Sequence, residues 1–253
     1  MENNSVFSQA AYAYYYSGLA GADEVKNEYG LTNWTIDGTL SDGSSVVFVD
    51  NKDKDVVIAY RGTDPRNVKD LYTDFQIAIG SYKTITPARF QAAMAKYEKV
   101  KAKYGGDNIV VTGHSLGSTQ SMVVAARTGA RGHHFNPGGS FRDVAGGLHD
   151  KVFCASALCK NASQQVIYST GRDPLSYAHL FGKVKVVKVT PKPGTDILAH
   201  GLDNFLPSKQ RRVEVTTTSR QAHKRVSWKP DNFCKFNPTS SRCQHLTRQT
   251  QAV

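Results

Sequence analysis

The chain has no long apolar run and few acidic residues. Because a membrane-spanning helix needs about 18 or more consecutive apolar residues, the sequence predicts no such helix. The first residues, 1–4, contain no basic group ahead of an apolar stretch, so they do not predict a secretory signal. The localisation of the protein stays open at this point.

Cysteine is scarce, with four residues at Cys154, Cys159, Cys234 and Cys243. The second pair is spaced too widely for zinc, and no histidine pair completes a ligand set. Free thiols are therefore expected, with a Cys234–Cys243 disulfide as the alternative in an oxidising compartment. Since the sequence also lacks a glycine-rich phosphate loop and a dinucleotide fingerprint, we expect neither a metal nor a cofactor.

The deficit of acidic residues is concentrated at the C-terminal end. The net charge of the chain is +11, and residues 208–253 hold ten Lys or Arg but only two acids. This stretch is rich in Thr, Ser and Gln, which predicts a loosely structured basic tail. Such a tail suits an anionic membrane surface or nucleic acid, and a solubilising tail without a partner is the alternative.

The remaining residues, 1–207, are enough for one enzyme-sized domain. Apolar residues make up 40% of the chain, so a full core is expected. Strand and helix patterns alternate along the sequence, which favours an α/β fold with a mainly parallel sheet flanked by helices.

An apolar strand pattern at 109–111 leads into Gly113-His114-Ser115-Leu116-Gly117 and then into a helical stretch. Gly-x-Ser-x-Gly between a strand and a helix is typical of a nucleophile elbow. In that turn the serine has strained backbone angles that expose its Oγ, and the glycines let the strand and the helix approach closely. Ser115 is therefore the candidate nucleophile.

A serine nucleophile needs an acid and a histidine base, which follow it in that order in the hydrolase fold. The strand pattern at 165–169 ends in a turn that contains Asp173, our predicted acid. Asp143 and Asp150 lie in a glycine-rich stretch without a preceding strand, so loop or capping roles are expected for them.

The predicted base is His200, which follows a second strand pattern at 184–189. His179 is the alternative, although it follows Asp173 by only six residues, too few to include another strand. His114 is adjacent to the serine, where its side chain is expected to diverge from Oγ.

An oxyanion must also be stabilised by preorganised donors. The buried strand pattern at 55–60 ends in Arg61-Gly62-Thr63-Asp64-Pro65, where Thr63 offers a backbone N–H and a hydroxyl. The second predicted donor is the backbone N–H of Leu116, the residue after the nucleophile. An ordinary turn at the end of a strand is the alternative for this segment.

These motifs resemble the class 3 lipases, the fungal triacylglycerol lipase type of the α/β-hydrolase superfamily. The resemblance spans about residues 5 to 207 and rests on the oxyanion motif at 59–63, the elbow at 113–117, the acid loop at 172–175, the Pro-containing turn at 135–138 and Asp74. Ser118 stands where the family commonly has another glycine, and the short segment 72–87 argues against a large lid.

The resemblance implies an α/β-hydrolase fold and hydrolysis of carboxylic esters of a lipid or of a smaller acyl substrate through an acyl-enzyme. Ser115, His200 and Asp173 would form the triad, with Thr63 and Leu116 as the oxyanion hole. The alternative is a catalytically idle hydrolase-fold protein that binds or assembles through its basic tail, and an intact triad argues against it.

Overall fold

A computed structural model of the chain describes residues 2–63, 86–137, 164–170, 185–191, 200–207 and 216–218. Its helices are α1 (Glu2–Glu28), α2 (Thr86–Tyr104) and α3 (Leu116–Thr128). Its strands are β1 (Trp34–Ile36), β2 (Ser45–Asp50), β3 (Val56–Tyr60), β4 (Ile109–Ser115), β5 (Arg131–Pro137), β6 (Gln165–Thr170), β7 (Lys185–Val189) and β8 (Thr216–Thr218). A 3₁₀ turn spans Leu202–Asn204.

In this part of the chain the strands form one sheet in the order β1 to β8. Strands β3 to β7 are parallel neighbours, β1 and β2 pair antiparallel at one edge, and β8 pairs antiparallel with β7 at the other. The mainly parallel sheet flanked by helices confirms the predicted α/β-hydrolase fold class. The carboxyl ends of the parallel strands lie at one edge, where sites form in open α/β sheets.

Strand β3 is apolar throughout because both faces of the sheet are covered. Val56, Ile58 and Tyr60 pack on the face that α2 and α3 cover. Val57 and Ala59 pack on the opposite face, against α1. A strand buried on both sides has no polar alternation, and this explains the continuous apolar run in the sequence.

Helix α1 lies along β4 and is joined to it by buried hydroxyl groups. The Oγ atom of Ser8 and the Oγ1 atom of Thr112 are 3.1 Å apart, and Ser5 Oγ donates to the carbonyl of Phe205 at 2.9 Å. The helix is kinked at Gly18, whose φ of 63° and ψ of −153° are not helical. The first of these contacts fixes α1 to the centre of the sheet, and the second fixes it to the segment that follows β7.

Strand β8 lies within the stretch that the sequence assigns to the basic tail. The chain divides after it into a first unit, Met1–Ser219, and a second unit, Arg220–Val253. The second unit lies outside the described residues. Among the helices of the described ranges, none has the length and apolar character to cross a membrane.

A buried histidine links β5 to α3. His134 is fully buried, and its Nδ1 atom lies 2.8 Å from the Oγ atom of Ser121. Burial, helped by the neighbouring His133, lowers the pKa of His134 from 6.5 to about 3, against a smaller opposing effect of a hydrogen bond with Gln165. The folded protein therefore keeps this ring neutral at pH values where the unfolded chain protonates it.

Because the folded pKa of His134 is depressed, its contribution to stability is complete above the unfolded pKa and is lost as the pH falls below it. Between about pH 7 and about pH 5, wild type should lose about 2 kcal/mol more free energy of unfolding than His134→Asn, whose amide does not titrate. Urea titrations of both proteins at the two pH values measure this difference. Equal losses in the two proteins would contradict the assignment of a neutral, buried ring.

Candidate active site

Ser115 lies at the junction between β4 and α3, with no loop between the strand and the helix. Its φ of 56° and ψ of −126° are unusual for a residue with a side chain, and the residue is buried. Such strain persists only where the surrounding structure enforces it, and it is common at functional sites. The predicted elbow is therefore present with the serine at its strained position.

Two glycines make the sharp turn possible. A Cβ atom on Gly113 would collide with the backbone of Gly117 and would lie 2.7 Å from the N atom of Ser118. A Cβ atom on Gly117 would collide with the carbonyl oxygen of Tyr60 and would lie 2.7 Å from the carbonyl carbon of Arg61. The obstructing atoms are backbone, so no rotamer change could make room.

The hydroxyl of Ser115 is not used to cap α3, although the residue occupies the N-cap position. A serine at this position commonly accepts a hydrogen bond from the first turn of the helix. The first N–H groups of a helix have no partner within the helix, and in α3 this series begins at Leu116, directly after the serine. This combination suits a nucleophile that lies next to preorganised donors.

The segment predicted as the oxyanion turn lies beside the elbow. Tyr60, the last residue of β3, pairs in parallel register with Gly113, so the chain beyond it runs along the elbow. A Cβ atom on Gly62 would lie 3.2 Å from the Cβ atom of Ser115. Thr63 follows Gly62 directly and is partly buried. The sheet register therefore brings the predicted donor segment beside Ser115.

His200 lies next to the elbow and is buried. Its main-chain carbonyl oxygen is 2.6 Å from the Nε2 atom of His114, and the two imidazole rings have centroids 5.0 Å apart. The Nδ1 atom of His114 is 3.1 Å from the hydroxyl of Tyr12. Both ring nitrogens of His114 are thus engaged away from a catalytic role, in agreement with the expected divergence from Oγ.

Asn136 and Tyr12 are two site residues that the sequence patterns did not reveal. Asn136 is fully buried with a φ of 37°, and its Nδ2 atom donates to the carbonyl of His200 at 3.1 Å. Its position before Pro137 at a strand end was a weak signal, because that position indicates only a turn. Tyr12 lies on α1 and packs in the core with Phe135 and Phe205, and its hydroxyl also reaches His114 in the elbow.

Several predicted residues lie outside the described residues. They are Asp64, Asp74, Asp143, Asp150, Asp173, His179 and the four cysteines. Strand β6 ends at Thr170, at the carboxyl edge of the sheet and three residues before Asp173 in the chain. In the described ranges, no group of three or more His, Cys, Asp or Glu side chains is arranged to hold a metal ion.

Comparison with known protein families matches residues 8–189 to the family described as "Phospholipase-like: Tle-like phospholipase domain". This match confirms the resemblance to lipases that the sequence motifs predict. A search of curated protein sequences gives no significant match.

Solved structures of fungal proteins are also similar. A mutant form of MDLA from Penicillium cyclopium is 16% identical, with 76% of this chain and 80% of that chain covered and a TM-score of 0.42. The Rhizomucor miehei lipase propeptide complex is 11% identical, with 81% and 73% covered and a TM-score of 0.44. The mono- and diacylglycerol lipase from Aspergillus oryzae is 15% identical, with 87% and 86% covered and a TM-score of 0.42. At this level of similarity these structures carry no information on substrate.

The close packing of α3 against the end of β3 can be tested by adding one methyl group at Gly117. Gly117→Ala should destabilise the protein by about 1 to 3 kcal/mol, even though alanine favours helices, because β3 and α3 must separate. Gly38→Ala is the matched control, since no atom lies within 4 Å of a Cβ atom there, and it should change stability by less than about 0.5 kcal/mol. Thermal or urea unfolding of both variants measures the effect. A neutral Gly117→Ala variant would show that the helix has more space than the structure gives it.

Proposed function

Because the chain belongs to the family of Tle-like phospholipase domains, we propose that it is a serine hydrolase that cleaves carboxylic esters of lipids through an acyl-enzyme. The observation that carries the proposal is the strained Ser115 between β4 and α3, with its hydroxyl not engaged as a helix cap. A structural serine would have no need of these backbone angles.

In the first half of the proposed reaction, Ser115 Oγ attacks the ester carbonyl and His200 takes the hydroxyl proton. Asp173 holds the imidazole in the required tautomer and stabilises its charged form. The carbonyl oxygen becomes an oxyanion, which accepts hydrogen bonds from Thr63 and from the N–H of Leu116. Collapse of this intermediate breaks the ester bond, and the proton on His200 goes to the leaving alcohol.

In the second half, water attacks the acyl-enzyme and gives its proton to His200. The same oxyanion donors stabilise the second tetrahedral intermediate. Its collapse breaks the acyl bond to Ser115 and releases the fatty acid, while His200 returns its proton to Ser115 Oγ. All the chemistry is supplied by side chains and backbone donors of this chain.

Phospholipid esters are the proposed substrates, since the description of the family refers to phospholipases. Triacylglycerols and short soluble esters are the other members of the same chemical class. The position of the scissile bond and the length of the acyl chain depend on loops that form the acyl pocket. Release of fatty acid from phospholipid and from triacylglycerol emulsions would distinguish these substrates.

Ser115→Ala should abolish hydrolysis of a short soluble ester and labelling by a fluorophosphonate probe, which reacts with activated serines. The fold should persist, because the Ser115 hydroxyl does not cap α3. Labelling of wild type and variant, with circular dichroism as the control for folding, measures both effects. If wild type is unlabelled, or if the variant labels equally, the enzyme hypothesis is wrong and a binding or assembly role replaces it.

The triad assignment can be tested by comparing two histidines. Asp173→Asn and His200→Ala should each lower kcat by about a thousandfold or more, because only the oxyanion hole and substrate binding then remain. His200→Ala keeps the main-chain carbonyl that His114 and Asn136 hold, so the change removes the imidazole alone. His179→Ala should retain activity within about threefold of wild type, as expected for a residue outside the reacting unit. An inactive His179→Ala variant beside an active His200→Ala variant would reverse the assignment.

A further inference from the structure

We propose that His114 and Asn136 are positioning residues that hold the main chain of His200 and thereby place its imidazole against Ser115. The inference rests on the proposed function, since it gives a role to the surroundings of the same base. Neither side chain is assigned a contact with substrate.

His114 provides the first donor. A carbonyl oxygen only accepts, so the short contact from Nε2 of His114 to the carbonyl of His200 places a proton on Nε2. In the neutral ring Nδ1 then accepts the hydroxyl hydrogen of Tyr12 at 3.1 Å. The carbonyl of residue 200 therefore selects this tautomer, and the Tyr12 hydroxyl on α1 adapts to it as the donor to Nδ1. Because His114 precedes Ser115 in the chain, this hydrogen bond connects the main chain of His200 directly to the turn that carries Ser115.

Asn136 provides the second donor, and its orientation is fixed by the same logic. The backbone N–H of Thr170 only donates, and it lies 2.9 Å from Oδ1 of Asn136. The amide nitrogen must then face the carbonyl of His200, at 3.1 Å, and it also lies 3.2 Å from Oγ1 of Thr170. The φ of 37° at Asn136 is one that asparagine tolerates better than most residues. One buried amide thus joins the end of β6, which leads to Asp173, to the base.

The two donors use both lone pairs of one carbonyl oxygen. A loop with only a connecting role would not need two side-chain hydrogen bonds to one carbonyl. A catalytic base, in contrast, must stay within hydrogen-bond reach of its nucleophile. A displacement of about 1 Å at a catalytic group can cost about a hundredfold in rate. Loss of either donor should therefore lower kcat while KM for a small ester stays within about threefold, because neither residue is placed against the substrate.

The experiment compares two substitutions at one position. His114→Phe keeps an aromatic ring and removes the donor, and it should lower both kcat for a short soluble ester and the rate of fluorophosphonate labelling by about a hundredfold. His114→Gln places an amide donor near the position of Nε2 and should recover to within about tenfold of wild type. Rescue by the amide is a result that loss of packing alone would not give.

His133→Phe is the matched control. The Nδ1 atom of His133 also lies 3.1 Å from a tyrosine hydroxyl, that of Tyr168, but His133 makes no hydrogen bond to residue 200. Its replacement removes an equivalent histidine–tyrosine contact from the neighbouring strand. Labelling of this variant should stay within about threefold of wild type.

Asn136→Asp gives a second test if His114→Phe does not fold. The carboxylate keeps an acceptor for the Thr170 N–H and tolerates the same φ, but it faces the carbonyl of His200 with an acceptor instead of a donor. We expect the same loss of kcat and labelling as for His114→Phe. Labelling at the wild-type rate in a folded His114→Phe or Asn136→Asp variant overturns the inference, and so does an equal loss in His133→Phe. If wild type itself does not label, the proposed function has failed and the inference fails with it.

Discussion

The carboxyl edge of the sheet depends on backbone packed directly against backbone at the start of α3. Gly117 leaves no room for a side chain between the helix and the end of β3. This contact holds the helix close to the strand, and the turn between β4 and α3 must then accept the strained angles of Ser115. The same approach brings the turn at Gly62 beside the serine, so a steric constraint at one glycine places Ser115 and the predicted oxyanion donors together.

The local parts of this arrangement are predictable from the sequence. Strand β3 is predicted by its apolar run, and the elbow is predicted because its glycines and its serine are neighbours in the chain. The order of strands in the sheet then follows the chain order, so the carboxyl ends of β3 and β4 must meet. Patterns with a period of a few residues predict β3 and the elbow, whereas the strand order is seen only in the structure.

The hydrogen bonds around His200 could not be predicted in the same way. The contact between His114 and His200 joins residues 86 positions apart, and the contact between Asn136 and His200 joins residues 64 positions apart. No periodic pattern encodes a polar side chain that meets a carbonyl on a distant segment. For Tyr12, aromatic residues on α1 indicate core packing equally well whether or not the hydroxyl has a partner. The acid Asp173 stays a prediction, supported by its place after β6.

Buried histidines serve here as connectors between elements of the fold. A neutral imidazole presents a donor at one nitrogen and an acceptor at the other, so it can join two polar groups across an interior that would not accept a charge. His114 connects α1 to the segment after β7 in this way, and His134 connects β5 to α3. Asparagine adds a second kind of link at the end of β5, because its amide can satisfy an N–H and a carbonyl at once.

The hydrogen bond from Ser5 to the carbonyl of Phe205 spans 200 positions of the chain. It brings the first turn of α1 against the segment that carries His200. The beginning and the end of the predicted domain, residues 1–207, are therefore spatial neighbours. During synthesis on the ribosome the elbow emerges long before residue 205. Until then, Ser5 of α1 lacks the carbonyl of Phe205 as its acceptor. The hydrogen bonds that join α1 and the elbow to residues 200–205 can therefore form only after those residues have been translated. A proteolytic fragment that ends before residue 200 would contain the complete elbow without the histidine that faces it.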